Sequence, residues 1–230
     1  MLIQSARPSP ASRSRMASGA APLPCPAATA LASAIELMGA PMSFTRNAEI
    51  YGENEPADFL YKVISGTVRT YKMLNDGRRQ IGDFYLAGDL FGLETGAEHA
   101  FSAEAIADTK VLFIKRSAVM ALAARDNDIA RQLWALTGLE LDRVQGHILL
   151  LIKTARERVA AFLLEMAERI HAGNDVELPM SRQDIADYLG LTIETVSRTL
   201  TQLEGVHAIA LPSSRHIVLR NRTILRQLNA

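Results

Sequence analysis

Cysteine is almost missing from this chain: of 230 residues only Cys25 carries a thiol. No disulfide can close within one chain, and no four-cysteine iron or zinc site can be assembled from it. A reducing interior compartment is the expectation. Long apolar runs are missing too. The most apolar stretch, ILLLI at 148–152, falls far short of the roughly 20 residues that span a bilayer, so no membrane partner is expected. Neither sign of charge is in excess, with 25 basic and 25 acidic side chains. No glycine-rich phosphate loop leads into a helix, and no nucleophile has a base at motif spacing, which leaves an enzyme with little support.

The charges are unevenly spread. Residues 1–35 hold Arg7, Arg13 and Arg15 and no acid, 36–152 hold 12 basic against 16 acidic residues, and the stretch from 205 onward holds Arg215, Arg220, Arg222 and Arg226 with no acid. Positive potential therefore gathers at the two ends. The first thirty residues are rich in Ala, Ser and Pro, as in a transit peptide. They lack the compact apolar core of a secretory signal, and a disordered tail over 1–28 is expected, with Cys25 an ordinary thiol in it.

Beyond a short amphipathic stretch at 29–39, apolar and polar residues alternate in short runs broken by Gly66, Gly77, Gly82, Gly88 and Gly92. Asn75-Asp76-Gly77 between two such runs is a hairpin signal, because these residues tolerate the positive φ of a tight turn. An antiparallel β-roll over 29–125 follows, in an α+β chain. From Arg116 the period becomes helical, and no proline interrupts 126–154. Over 126–152 one long helix is expected. On it Trp134, Thr137, Leu141, Val144, Ile148 and Leu151 fall alternately three and four apart, the seam of a parallel homodimer. A helix buried on both faces in its own domain is the alternative. Leu133, Leu136 and Leu150 lie off the seam and are placed on the roll. Gly138 and Gly146 each weaken such a helix by roughly 1 kcal/mol, so close packing has to compensate.

A second helix is predicted at 156–171, opening a compact unit over 153–230. LPMSRQDIADYLGLTIETVSRTLTQLE (178–204) then has the spacing of a helix-turn-helix. Ser181 caps the first helix with Asp184 three positions on, Gly190 makes the turn, and Thr192 caps the second helix. Val196, Leu200 and Leu203 point inward. Glu194, Thr195, Ser197 and Arg198 are left on the outer face, where a recognition helix meets base edges. A carboxylate at 194 accepts from the cytosine amine, and the guanidinium at 198 matches guanine O6 and N7. Arg198 can also pair with Glu194 across one turn. Ile209 and Leu211, then Ile217 and Leu219, alternate about Pro212-Ser213-Ser214 as a β-hairpin wing, with Arg215 at its tip to reach a phosphate.

From residue 40 to 225 this order of roll, long helix and winged helix-turn-helix resembles the cyclic-AMP receptor/fumarate-nitrate regulator (CRP/FNR) superfamily of bacterial transcription factors. Glu194, Ser197 and Arg198, with IVLRNRTILRQLNA near the end, are similar to the FixK subgroup, which controls microaerobic and nitrogen-fixation genes. The resemblance implies an activator binding double-stranded DNA as a homodimer and contacting RNA polymerase. It implies TTGAT-like inverted repeats read by Glu194, Ser197 and Arg198, with Ile193 against a thymine methyl. Ser181 and Arg182 would touch phosphate, joined by Thr192, Thr195 and Arg215. The departures bear on cofactors. One cysteine excludes the iron–sulfur cluster of the oxygen-sensing branch. FGLE (91–94) displaces the acid of the cyclic-nucleotide turn, and Phe101 stands where that pocket has its phosphate-binding arginine, though Glu94 and Ser102 remain. His99, His147, His171, His207 and His216 show no metal-ligand spacing. No cofactor is therefore expected. A ligand-gated regulator with an unidentified molecule in the roll is the alternative; a protein-interaction winged helix would leave Arg198 free to vary.

Overall fold

The structure, a computed structural model, describes residues 30–171 and 173–229. The tail expected over 1–28, with Cys25, lies outside the described residues.

The alternating segments fold as β1 (Ala40–Phe44), β2 (Glu49–Tyr51), β3 (Phe59–Ser65), β4 (Thr67–Met73), β5 (Arg79–Leu86), β6 (Leu90–Phe91), β7 (Ser102–Ala105) and β8 (Thr109–Lys115). They form two antiparallel sheets, ordered β1-β8-β3-β6 and β2-β7-β4-β5. Between them lies a core containing Tyr51, Tyr61, Val68, Phe91 and Val111. Gly77 has φ 83°, and its N–H donates to Leu74 O at 2.9 Å, closing the β4–β5 hairpin where Asn-Asp-Gly predicts it.

Helix α1 (Ala30–Met38) precedes the roll and buries Leu31 and Ile35. Helices α2 (Arg116–Ala123) and α3 (Asn127–Leu151) follow it. Asp126 separates them: its carboxylate accepts from the N–H groups of Asp128 and Ile129, capping an unbroken helix of 25 residues. Leu133 and Leu136 pack with Leu31, Ile35 and Ile114 at the roll, as their spacing predicts. Leu150 belongs to a different cluster, which holds Phe162, Leu163 and Leu189 as well as Ile81 and Phe84 of the roll, because it sits where the chain folds back into α4 (Ala155–Arg169).

The C-terminal unit adds β9 (Asp175–Glu177), α5 (Arg182–Leu189), α6 (Ile193–Gly205), β10 (Ile209–Ala210), β11 (His216–Leu219) and α7 (Arg222–Asn229). The wing has three strands rather than two, in the order β10-β11-β9. Leu225 of α7 is fully buried in the same core as Val159, Val196 and Ile217. This core extends into the roll through Ile81, Phe84 and Ile106. Beside it runs a chain of ion pairs. Asp83 accepts from Arg143 of α3 at 3.1 Å and lies 3.6 Å from Arg169 of α4, which also pairs with Asp89 and Glu165.

Candidate nucleic-acid interface

Helix α5 starts with a complete capping box. Ser181 Oγ accepts from Asp184 N at 3.1 Å and donates to Asp184 Oδ2 at 2.7 Å, and Ser181 N donates to the same oxygen at 2.9 Å. The single hydroxyl proton of Ser181 is thereby committed to Asp184. Beside it Arg182 is half-buried, its Nε without a partner. Gly190 ends α5 with φ 62° and ψ 40°, a left-handed geometry that favours glycine. Thr192 then caps α6, its hydroxyl accepting from Thr195 N at 3.2 Å.

Val196, Leu200 and Leu203 are buried, anchoring one face of α6. Ile193, Glu194 and Arg198 are exposed, and Thr195 and Ser197 half-buried. The four residues expected to read bases thus share the outer part of the first two turns. The expected pairing of Glu194 with Arg198 is absent: among the described residues neither makes an ion pair. The Glu194 carboxylate turns back to its own backbone N–H, and beyond that to the Thr192 hydroxyl, which together hold it below the ordinary glutamate range. Unsatisfied N–H groups at a helix start compete well for an acid. Both side chains are consequently presented as charged groups.

Arg215 departs from its expected position at the wing tip. Pro212, Ser213 and Ser214 form the exposed turn, while Arg215 is half-buried and lines a cavity of about 510 Å³ shared with Gly66, Thr67 and Leu86 of the roll.

The inner side of α5 is gripped by charges that sequence reading does not connect to it. Arg69 of β4 donates to Asp184 Oδ1 at 2.6 Å and to Glu104 at 3.0 Å. Arg79 of β5 donates to Asp184 at 2.7 Å and to Asp187 at 2.8 Å. Tyr188 packs on Phe84 with ring centroids 5.3 Å apart, and His147 of α3 stacks on it at 4.1 Å.

Along α3, Trp134 is 82% exposed, Ile148 59%, Leu141 56% and Val144 50%, an unusual amount of apolar surface for one stripe. Within this row Thr137 is exposed too, and Leu151 at its end is half-buried. Apart from the helix's own nearby backbone, nothing among the described residues lies within 4 Å of where a side chain at Gly138 or Gly146 would begin.

A cavity of about 530 Å³ separates the roll from α3. Asp83, Glu94 and Glu140 line it together with Tyr51 and Phe101, and no arginine or lysine does. Ser102 Oγ accepts from Glu53 N at 2.9 Å, and Glu94 holds buried His99 at 2.8 Å. A cyclic nucleotide does not fit these residues, because its phosphate would meet carboxylates without a guanidinium. Among the described residues no group of three or more His, Cys, Asp or Glu side chains could hold a metal ion, and no helix is long and apolar enough to cross a membrane.

Comparison with known proteins agrees with this architecture. Residues 157–228 match the Crp-like helix-turn-helix domain, and residues 41–126 match the cyclic nucleotide-binding domain. The nitrogen fixation regulation protein FixK of Azorhizobium caulinodans is 51% identical over 205 residues, covering 86% of this chain and 83% of that protein. FixK of Rhizobium meliloti is 43% identical over 203 residues, covering 84% and 93%. Among solved structures, FixK2 from Bradyrhizobium japonicum superposes with a TM-score of 0.81 at 53% identity, covering 84% of this chain and 98% of that one.

Proposed function

The chain belongs to the FixK subgroup of the CRP/FNR superfamily, DNA-binding transcription regulators and not enzymes, and from that premise we propose that it is a homodimeric activator reading TTGAT-like inverted repeats without a small-molecule effector. The observation that carries this reading is the outer face of α6, where Ile193, Glu194, Ser197 and Arg198 lie together and the two charges are unpaired. Glu194 can accept from a cytosine amine, Arg198 can donate its fork to guanine, and Ile193 can cover a thymine methyl.

Around this face Arg182, Thr192 and Thr195 are placed for phosphate contacts, which fix register. Ser181 can join them only if its hydroxyl proton turns from Asp184 to the phosphate, and Arg215 only if it leaves the cavity beside the roll. The dimer rests on the stripe from Trp134 to Leu151. Its exposure and the open space at Gly138 and Gly146 suit a second α3 approaching closely. RNA polymerase is the further partner and the bacterial cytoplasm the setting, as the family resemblance implies; nitrogen-fixation genes are the targets that the names of the FixK relatives suggest, and microaerobic genes those that the resemblance adds.

The cavity between roll and α3 supports a second reading, in which an uncharged or cationic small molecule gates DNA binding. One experiment separates the two. Purified, ligand-free protein is titrated onto a palindromic TTGAT duplex and base-substituted controls at one stated salt concentration, since phosphate contacts make affinity salt-dependent. Tight, sequence-selective binding supports the effector-free reading. Weak binding that a cell extract's small-molecule fraction restores would replace it with the gated one.

A further inference from the structure

The ion pairs behind α5 join the part of the chain that is to read DNA to the part that is not. We infer that Arg69 and Arg79 of the roll are positioning residues for DNA recognition, which set the spacing of the two reading helices by holding Asp184 and Asp187 of α5; this rests on the dimeric reading proposed above.

The covalent tether between the two parts is short. Between the last residue of α3, Leu151, and the first of α4, Ala155, the chain has only Ile152, Lys153 and the cap Thr154. Rotation about these residues would swing α4 to α7 as one body, against the part of their shared core that reaches Ile81, Phe84 and Ile106 of the roll. Polar restraints on such rotation act on two helices: Arg169 of α4 pairs with Asp83 and Asp89, and a second set acts on α5. Arg69 and Arg79 reach it from two neighbouring strands, and their two forks meet on one oxygen, Asp184 Oδ1. Gln80 Nε2 donates to Tyr188 O at 3.3 Å, and His147 Nε2 lies 2.9 Å from that carbonyl. Asp184 is 5% exposed and Arg69 8%, so these pairs are shielded from salt.

Helix α5 in turn fixes α6. Ala186 and Leu189 lie in the same buried cluster as Val196 and Leu200, and Gly190 permits only a tight turn between the two helices. The guanidiniums therefore bear on the recognition face at one remove, without touching DNA. In a two-fold dimer the separation of the two faces must match one helical turn of DNA, roughly 34 Å. A restraint on α5 is thus a restraint on which half-site spacing is accepted.

The test uses Arg79→Gln and Asp187→Asn, each removing one arm of the network while the Asp184 capping box is kept, with Arg79→Lys as the charge-preserving variant. Full-length proteins are titrated onto palindromes whose half-sites are separated by the natural spacer or by one base pair more or fewer, and onto single-base substitutions within a half-site. The wild type should prefer one spacing. Arg79→Gln and Asp187→Asn should reduce that preference roughly 5- to 150-fold, the range of coupling between distinct sites, while base selectivity within each half-site stays unchanged. Arg79→Lys should fall between. An unchanged spacing preference in both neutral variants, with or without a uniform loss of affinity, overturns the inference. A wild type with no sequence-selective binding to any spacing overturns the effector-free reading instead, and one that binds a single half-site as tightly as any palindrome overturns the dimeric reading, which keeps the failures distinct.

Discussion

Glu194 and Arg198 lie one turn apart on the outer face of α6 and do not pair. An acid on a surface meant for phosphates is unfavourable unless it has something specific to accept. Here the carboxylate leans to the helix start, and the guanidinium makes no ion pair among the described residues. Arg198→Ala is expected to weaken binding to the palindrome by roughly 1–3 kcal/mol and to relax the preference at one base pair per half-site. Competition titrations against every substitution of the half-site measure this. An unaltered profile removes Arg198 from the readout.

The α3 stripe leads to a second expectation. A charge at Leu141 or Ile148, 56% and 59% exposed in the single chain, is easily solvated in a monomer and is buried in a parallel dimer. Leu141→Glu and Ile148→Glu should leave the fold intact, yield monomers by sedimentation, and lower affinity for the palindrome by far more than for a single half-site. A dimer that persists would place the interface elsewhere.

Local signals and distant ones differ in how far they can be read in advance. Asn75-Asp76-Gly77, the Ser181–Asp184 box and Gly190 declare themselves because each acts within a few residues, and the structure forms all three. The stripe on α3 is periodic and equally plain. Strand β9 escapes notice because Asp175-Val176-Glu177 offers one apolar residue, too short a run for its alternation to stand out. Arg69 and Arg79 look like ordinary charges on the polar face of a hairpin; their partners lie 115 and 105 positions away, and no periodicity points across that distance. The surroundings of Arg215 are hidden for a related reason: its own element puts it beside the wing turn, while its neighbours are decided by how the winged helix sits against the roll.

Acid should loosen this junction. Burial alone would raise the Asp184 carboxyl, but its hydrogen bonds with Ser181 and the guanidiniums of Arg69 and Arg79 hold it below the ordinary aspartate range. A carboxyl lowered on folding stabilises the fold fully above the unfolded value of about 3.9 and loses that contribution as pH falls through the lower folded value. Asp184→Asn, which keeps an acceptor for the cap, should destabilise by about 1–3 kcal/mol at neutral pH, since buried Arg69 and half-buried Arg79 each lose one of their two carboxylates and keep the other. Urea unfolding of both proteins from pH 7 to pH 3 should show the gap narrowing below about pH 4. A gap that stays constant with pH would mean that the charge of Asp184 is not what holds α5.

The turn between the two helices allows a cleaner test of backbone geometry. Gly190 has φ 62°, and a methyl placed there would meet Arg158 Nη1 and a Leu151 methyl at 3.5 Å, ordinary contact distances. Space is therefore not the obstacle. The cost of Gly190→Ala is conformational, about 1–2 kcal/mol for holding a residue with a Cβ in the left-handed region. Arg158 Nη1 also donates to Leu189 O at 2.7 Å, so the turn is braced from α4 and should not relax to avoid the strain. Chemical denaturation of Gly190→Ala should show a loss of this size, with DNA affinity lowered only in proportion to the unfolded fraction. A full loss of binding in a protein that remains folded would show instead that the turn had opened and carried α6 away from its place.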